Sequence, residues 1–361
     1  MKILFLNYEY PPVGGGAGNA TYYLLREYSK NKDLEIDLIT SSPTKQKKIE
    51  QFSDNVTIHK LPVGLNKENL NFGSIKLLLT YSIKAFFYGV KLIKKNNYDL
   101  THAFFGTPCG FIALIYKFLF GLPYLVSLRG ADVPGYKKRF KYLDKFIFRR
   151  LNKYFIWKHA DKVVTNSDGL KKLALKTAPR QDIAVIPNGV DTETFQPNWN
   201  KTMDTIKITP GWTRLEKRKG IDLLFNAVAK IEDKDIEVVI PGTGKELNNL
   251  KALADKLDIS EQVNFLELGE NTQENRKKVA QALSNCHILC LPSDNEGMSN
   301  AVLEGMASGL VLLLTNVGGT QELLNPGENG YIIKRDANDI MNKINKIKED
   351  KEKLIQMGRQ S

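Results

Sequence analysis

Short apolar runs alternate with stretches of helical periodicity along the whole chain, and that alternation points to an α/β fold built on parallel sheets. In the first half the strand candidates are 2–7, 35–40, 56–60, 100–104, 124–128, 162–166 and 184–187. A break follows at 191–204, where Phe195-Gln-Pro197-Asn-Trp-Asn-Lys201 has the composition of a linker. A second series then begins, with candidates at 205–210, 237–241, 262–266, 287–291, 311–315 and 330–333. We therefore expect two domains, 1–197 and 198–361, with a ligand cleft between the carboxyl ends of facing strands.

The 361 residues suffice for two cores, and 42% hydrophobic with 25% charged content is that of an ordinary globular protein. The most apolar region, 103–126, is broken by Pro108, Gly110, Lys117, Gly121 and Pro123, so it reads as strand, helix and strand rather than a membrane span. Met1-Lys2 leads straight into a short strand-like run with no room for a signal peptide, so a cytoplasmic protein is expected. Cys109, Cys286 and Cys290 form no even framework. Cys286, His287 and Cys290 lie in one apolar run, which favours a buried strand over zinc, and no metal is expected.

The net charge of +12 calls for an anionic partner or a role in solubility, and its distribution is informative. Residues 136–158 hold a dense basic cluster opposed by the single acid Asp144, while Leu143, Ile147, Leu151 and Tyr154 recur at helical spacing. Two readings stand: a solvated basic helix, or a surface that meets anionic lipid or an anionic acceptor. Peripheral contact at the inner face of the cell membrane is the second of these. No nucleic-acid module is visible, so nucleic acid is not expected as a partner.

Chemistry concentrates in a few loops. In Ser293-Asp-Asn-Glu296-Gly297-Met298-Ser299-Asn300-Ala-Val-Leu-Glu304, two carboxylates stand eight positions apart around a helix start that Ser299 can cap. Free peptide N–H groups there suit an anion, and the carboxylates suit hydroxyls. After the first strand, Pro11-Pro12-Val-Gly14-Gly15-Gly16 lets backbone approach a phosphate at a helix N-terminus; a dinucleotide fingerprint would need glycine where Asn19 stands. Arg214 and Lys219 precede an apolar helix and could hold a diphosphate, Arg214 as a fork and Lys219 as a point charge. In the first half, Arg129-Gly-Ala-Asp132 ends a strand, and His102, at the strand before it, is a further cleft candidate, although a lone histidine is more often structural.

Taken in order, these motifs resemble the retaining GT4 glycosyltransferases, with their P-P-x-x-G-G loop, R…K-G pair, E-x7-E segment and I-P-N-G-V-D turn, here Ile186 to Asp191. The resemblance implies a GT-B fold, two Rossmann-like domains facing each other across a cleft, the first binding acceptor and the second donor. It implies hexosyl transfer from a UDP- or GDP-sugar to a carbohydrate, lipid-linked or small-molecule acceptor, with no cofactor. Gly15 and Gly16 would border the diphosphate, Arg214 and Lys219 would neutralise it, and Glu296 would bind the transferred sugar. Backbone from Gly297 to Asn300 would face phosphate or sugar oxygens, and Glu304 the ribose. Arg129 stands where many relatives have histidine, so it could hold a phosphate, while Asp132 could fix its loop or accept a proton. Thr213 replaces the family's glycine before Arg214. Relatives continue past the equivalent of Ser361 through a tryptophan-bearing helix, so a missing crossover helix is expected. An epimerase or phosphorylase of the same fold and a non-catalytic nucleotide-sugar-binding protein are the competing readings.

Overall fold

The computed structural model describes residues 1–65, 75–136, 149–232, 234–268 and 272–361. It divides into two compact units, Met1–Pro187 and Asn188–Ser361. The division falls earlier than the linker composition suggests because 188–197 folds with the second unit. The Asn188 amide donates to the Asn300 Oδ1 (2.9 Å) and the Met298 carbonyl (3.3 Å), and Phe195 is buried among Leu283, Leu289 and Leu312.

The first unit holds strands β1 (Lys2–Leu6), β2 (Glu35–Ser42), β3 (Lys48–Ser53), β4 (Val56–Pro62), β5 (Leu100–Phe104), β6 (Tyr124–Leu128), β7 (Lys162–Thr165) and β8 (Ala184–Val185). Their order is β3-β4-β2-β1-β5-β6-β7-β8, all parallel except β3, which pairs antiparallel with β4. Helices α1 (Gly16–Ser29), α2 (Ile75–Ile93), α3 (Phe111–Phe120) and α4 (Asp168–Leu175) connect them. The apolar region 103–126 is indeed strand, helix and strand. The strand β3 has no counterpart among the sequence candidates, because its Lys-Ile-Glu-Gln-Phe-Ser run lies at the sheet edge and carries no apolar signal.

The second unit contains β9 (Ile206–Thr209), β10 (Ile236–Ile240), β11 (Val263–Phe265), β12 (Ile288–Leu291), β13 (Val311–Thr315) and β14 (Gly330–Ile333). The parallel order β11-β10-β9-β12-β13-β14 is that of a doubly wound sheet. Every residue of β12 and β13 is buried, so helices must cover both faces. These are α5 (Ile221–Val228), α6 (Leu247–Lys256), α7 (Gln273–Ser284), α8 (Asn300–Ala307), α9 (Ala337–Lys348) and α10 (Lys351–Gln360). Thr272, Asp336 and Asp350 cap α7, α9 and α10 through their side chains. The direction of winding reverses between β9 and β12, so the loops leaving their carboxyl ends flank a crevice suited to a ligand. In the first unit the same reversal lies between β1 and β5.

The basic segment 136–158 falls partly outside the described residues: Leu143 and Ile147 are not among them. The rest forms helical turns Arg149–Leu151, Asn152–Ile156 and Trp157–His159. The middle turn is π-helical and shifts the buried face to Asn152, Ile156 and Trp157, leaving Tyr154 outside instead of in the apolar stripe.

Candidate active site

Two loops of the second unit meet at its switch point. The loop after β9 carries Arg214, Arg218 and Lys219 into α5; the loop after β12 carries Ser293 and Glu296. Lys219 Nζ lies 2.6 Å from Glu296 Oε1, and Ser293 Oγ donates to the same oxygen at 2.8 Å. Arg218 Nη1 stands 3.9 Å away and donates to the Asn295 carbonyl, while its Nε pairs with Glu216 at 2.7 Å. Among the described residues every partner of Glu296 is on Oε1, which leaves Oε2 for an incoming hydroxyl. Lys219 is 6% exposed, and burial pulls its ammonium below the usual range while Glu296 opposes the shift. Among the described residues only Glu296 engages one of its three N–H donors, which leaves two for an anion. Arg214 is more open, 3.7 Å from Glu216.

The two loops are braced together. Arg335 donates to the carbonyls of Pro292 and Arg218 and pairs with Asp294 at 3.0 Å. Asp294 N–H in turn donates to the Arg218 carbonyl (2.8 Å). Gly220 (φ 69°) and Gly318 (φ 53°) allow the closest approaches: a Cβ would lie 2.4 Å from the Pro292 carbonyl oxygen at the first and 1.6 Å from the Glu296 carbonyl oxygen at the second. Arg335→Ala removes a donor from two carbonyls at once, and we expect a loss of about 1–3 kcal/mol, measured by thermal unfolding. Arg335→Lys should recover little, because one ammonium cannot replace the fork.

Thr213 is not among the described residues with positive φ, so this position does not require glycine's left-handed backbone. The small residues this loop needs are instead Gly242 and Gly244 after β10, where a Cβ would meet the Thr213 and Leu215 carbonyl oxygens at 2.4 and 2.5 Å.

Glu296 leads into Gly297, Met298, Ser299 and α8. The Gly297 carbonyl accepts from Gly319 N–H (2.8 Å) and the Met298 carbonyl from Asn188. The N–H groups of Gly297, Met298 and Ser299 make no hydrogen bond among the described residues. Ser299 occupies the N-cap position, yet its hydroxyl does not cap the helix. Glu304, one turn inside α8, is 6% exposed and forms no side-chain hydrogen bond among the described residues. Burial pushes its carboxyl up to about 8, against the pull of the buried Arg276 in α7.

In the first unit, the glycine loop does not present an open phosphate cradle. Gly15 N–H donates to Glu9 Oε2 at 3.0 Å, so a carboxylate already sits at the N-terminus of α1. Gly14 (φ 90°) lies so close to the Glu9 side chain that a Cβ would overlap it at 2.5 Å. Gly16, the first residue of α1, is exposed.

Asp132 clasps its loop: Oδ1 accepts from the N–H groups of Arg129 and Gly130 (3.0 Å each) and Oδ2 from Gly106 N–H (2.7 Å). Burial raises its carboxyl against those three donors. These three hydrogen bonds hold the loop together. Arg129 lies 3.8 Å over the Phe104 ring and stays charged at neutral pH, although burial lowers its guanidinium to about 10. His102 bonds to Ser127 Oγ (2.8 Å) and stacks on Phe5; burial lowers it to about 3, so it is a neutral core residue. His287 has both ring nitrogens engaged, by Lys207 N–H and the Thr202 carbonyl, which leaves none to bind a metal with its buried cysteine neighbours.

Two family models together span most of the chain: Glycosyltransferase Family 4 matches residues 14–194, and Glycosyl transferases group 1 matches 193–361. The chain belongs to glycosyltransferase family 4. An uncharacterized glycosyltransferase of Methanocaldococcus jannaschii is 26% identical over 95% of this chain and 87% of that protein. UDP-Gal:alpha-D-GlcNAc-diphosphoundecaprenol alpha-1,3-galactosyltransferase of Escherichia coli is 28% identical over 72% of this chain and 69% of its own length. Among solved structures, sucrose-phosphate synthase from Thermosynechococcus elongatus matches with a TM-score of 0.84 at 19% identity, covering 100% of this chain and 92% of that one. The fold is GT-B, and the protein is a glycosyltransferase.

Within this family-4 chain, the expected residues separate by behaviour. Lys219 and Glu296 touch, Gly297 to Ser299 follow Glu296 in the chain, Asn300 and Glu304 lie in α8, and Arg214 stands in the same loop as Lys219. Arg129 and Asp132 share a loop in the first unit, and Gly15 and Gly16 open α1 in the same unit. Sequence reading missed Arg218, Ser293, Arg276, Arg335 and Glu9. Arg218 was signalled by its place in a run of three cations and Glu9 by its position between a strand end and the double proline; a distant arginine such as Arg335 left no local mark.

Proposed function

We propose that this glycosyltransferase moves a hexosyl group from a UDP- or GDP-sugar to a hydroxyl of a carbohydrate or lipid-linked acceptor, with retention of configuration and without a metal. The observation that carries the reading is the Lys219–Glu296 pair followed by the N–H groups of Gly297, Met298 and Ser299, which make no hydrogen bond among the described residues, at the switch point of the second unit. The N–H groups and Lys219 suit a diphosphate, and the half-exposed Arg214 brings a guanidinium fork to the same loop. Glu296 Oε2 then accepts from a sugar hydroxyl, and Glu304 from the ribose. As the bond from the anomeric carbon to the β-phosphate oxygen breaks, charge gathers on that phosphate beside Lys219 and Arg214, which take the place of a cation. The acceptor oxygen bonds to the same face of the sugar, and its proton passes to the departing phosphate. The lipid-diphosphate acceptor and UDP-sugar named for the Escherichia coli relative support this substrate class.

The test is to incubate the chain with UDP- and GDP-hexoses and candidate acceptors, follow nucleoside diphosphate release, and read the product's anomeric proton coupling. Product with the donor's anomeric configuration is expected, and Arg214→Ala should lower the rate at least about tenfold. An inverted product, or undiminished turnover in Arg214→Ala, would reject the assignment.

A further inference from the structure

The first unit turns an apolar ridge outward. Helix α2 buries Tyr81, Ala85 and Gly89, spaced four apart, against the sheet and α3. On its outer face Ile75, Leu79, Ile83 and Phe87 repeat the same spacing, each 58–66% exposed. They form a stripe ~18 Å long at the rise of an α-helix. A surface helix of a globular protein ordinarily shows water its polar side.

The ridge continues sideways. Tyr116 of α3 donates to the carbonyls of Ala85 and Phe86 (3.0 Å each), locking α3 against α2, and α3 ends in exposed Phe118 (65%) and Leu119 (58%). Phe118 meets His159 edge-on, and Lys117 donates to the His159 carbonyl at 2.9 Å, which joins the turns of 149–159 to the same layer. There Tyr154 and Phe155 are each 51% exposed.

Charge identifies the occupant. Segments 75–95, 111–120 and 149–159 contain ten Lys or Arg and no Asp or Glu. Lys91 continues the four-residue spacing of the α2 stripe, Lys84 stands next to Ile83 and donates to the Pro62 carbonyl at 2.7 Å, and Lys94 and Lys95 follow the helix end. Apolar residues facing out between cations, on helices that lie along a surface, match an interface between acyl chains and anionic headgroups. Among the described residues no helix is long and apolar enough to cross a membrane, so the ridge lies on a bilayer and does not span it. We infer that the outer face of α2, α3 and 149–159 is a docking surface for an anionic phospholipid bilayer. The sequence had placed such contact in 136–158 alone; α2 now carries the larger part. The inference does not depend on the donor chemistry proposed above.

Co-sedimentation of the full chain with vesicles tests it. Phosphatidylcholine vesicles with about 30 mol% phosphatidylglycerol should bind the chain at least about tenfold more tightly than phosphatidylcholine alone, and added salt should weaken binding. Leu79→Glu with Phe87→Glu should lower that partitioning about tenfold or more. Both positions are exposed, so thermal unfolding of the double variant should match the parent. A second variant, Lys84→Glu with Lys91→Glu, should weaken binding to anionic vesicles while leaving the weak binding to neutral ones unchanged. Failure of the parent chain to bind anionic vesicles, or full binding by the Leu79/Phe87 variant, would overturn the inference. So would a dimer, seen by analytical ultracentrifugation, that the Leu79/Phe87 variant converts to monomer, since the ridge would then belong to a second copy.

Discussion

Lys219→Met should reduce turnover by roughly 10²–10³ and also destabilise the second unit. The catalytic part follows from position: Lys219 is the buried cation nearest Glu296, and its two uncommitted donors are those assigned to the leaving diphosphate. The structural part follows from burial. Both side chains of the ion pair are about one-tenth exposed or less, so removing either leaves a charge enclosed without its counter-charge. Breaking such a pair costs about 3–5 kcal/mol, whereas replacing both members with apolar groups is often close to neutral. Lys219→Met combined with Glu296→Leu should therefore recover much of the thermal stability and none of the turnover. Chemical denaturation and steady-state kinetics on the three proteins separate the two effects. If the double variant regained activity along with stability, Lys219 would be a structural residue only.

The sheets were legible in the sequence because parallel strands are buried on both faces and appear as short unbroken apolar runs. Each strand candidate has its counterpart, from Lys2–Leu6 to Gly330–Ile333. The edge strand β3 lacks that signature, since half of its surface faces water. The boundary between units was less legible: linker composition at 191–204 describes exposure, while the chain's allegiance is set by contacts such as Asn188 with Asn300 and the burial of Phe195.

At the candidate site, short motifs were readable in the sequence, and contacts made through space were not. The E-x7-E spacing located Glu296 and Glu304, but it could not reveal that Lys219 lies against the first and Arg276 near the second. The glycine loop shows the converse. Gly14, Gly15 and Gly16 suggested an anion cradle, yet Glu9, brought back by the turn at Pro11-Pro12, occupies the Gly15 N–H. A phosphate could use that helix end only after the Glu9 carboxylate moves away. Glycine spacing records where backbone can come close; it does not record what already fills the space.

Glu304 should make stability and donor affinity depend on pH in opposite directions. Its carboxyl titrates near 8 in the folded chain and at 4.5 when unfolded, so the folded state holds a proton that the unfolded state has lost. The resulting contribution is fully present below 4.5 and disappears as pH rises through about 8, a change of roughly 4–5 kcal/mol. His102 and His287 act in the other sense, because burial lowers them to about 3 and about 4; their contribution is lost as pH falls below 6.5. Between pH 6.5 and 8 the decline therefore belongs to Glu304, and Glu304→Gln should flatten thermal unfolding across that window. Affinity for the donor should run the opposite way. A ribose whose hydroxyls donate to Glu304 favours the ionised carboxylate, so binding must release the proton, and affinity should weaken about tenfold for each unit below pH 8. Calorimetry in two buffers of different ionisation heat would count that proton: close to one for the parent chain at pH 6.5 and none for Glu304→Gln. Equal proton release in both would move ribose recognition to another residue, while a flat stability profile in the parent would mean that Glu304 stays ionised in its pocket.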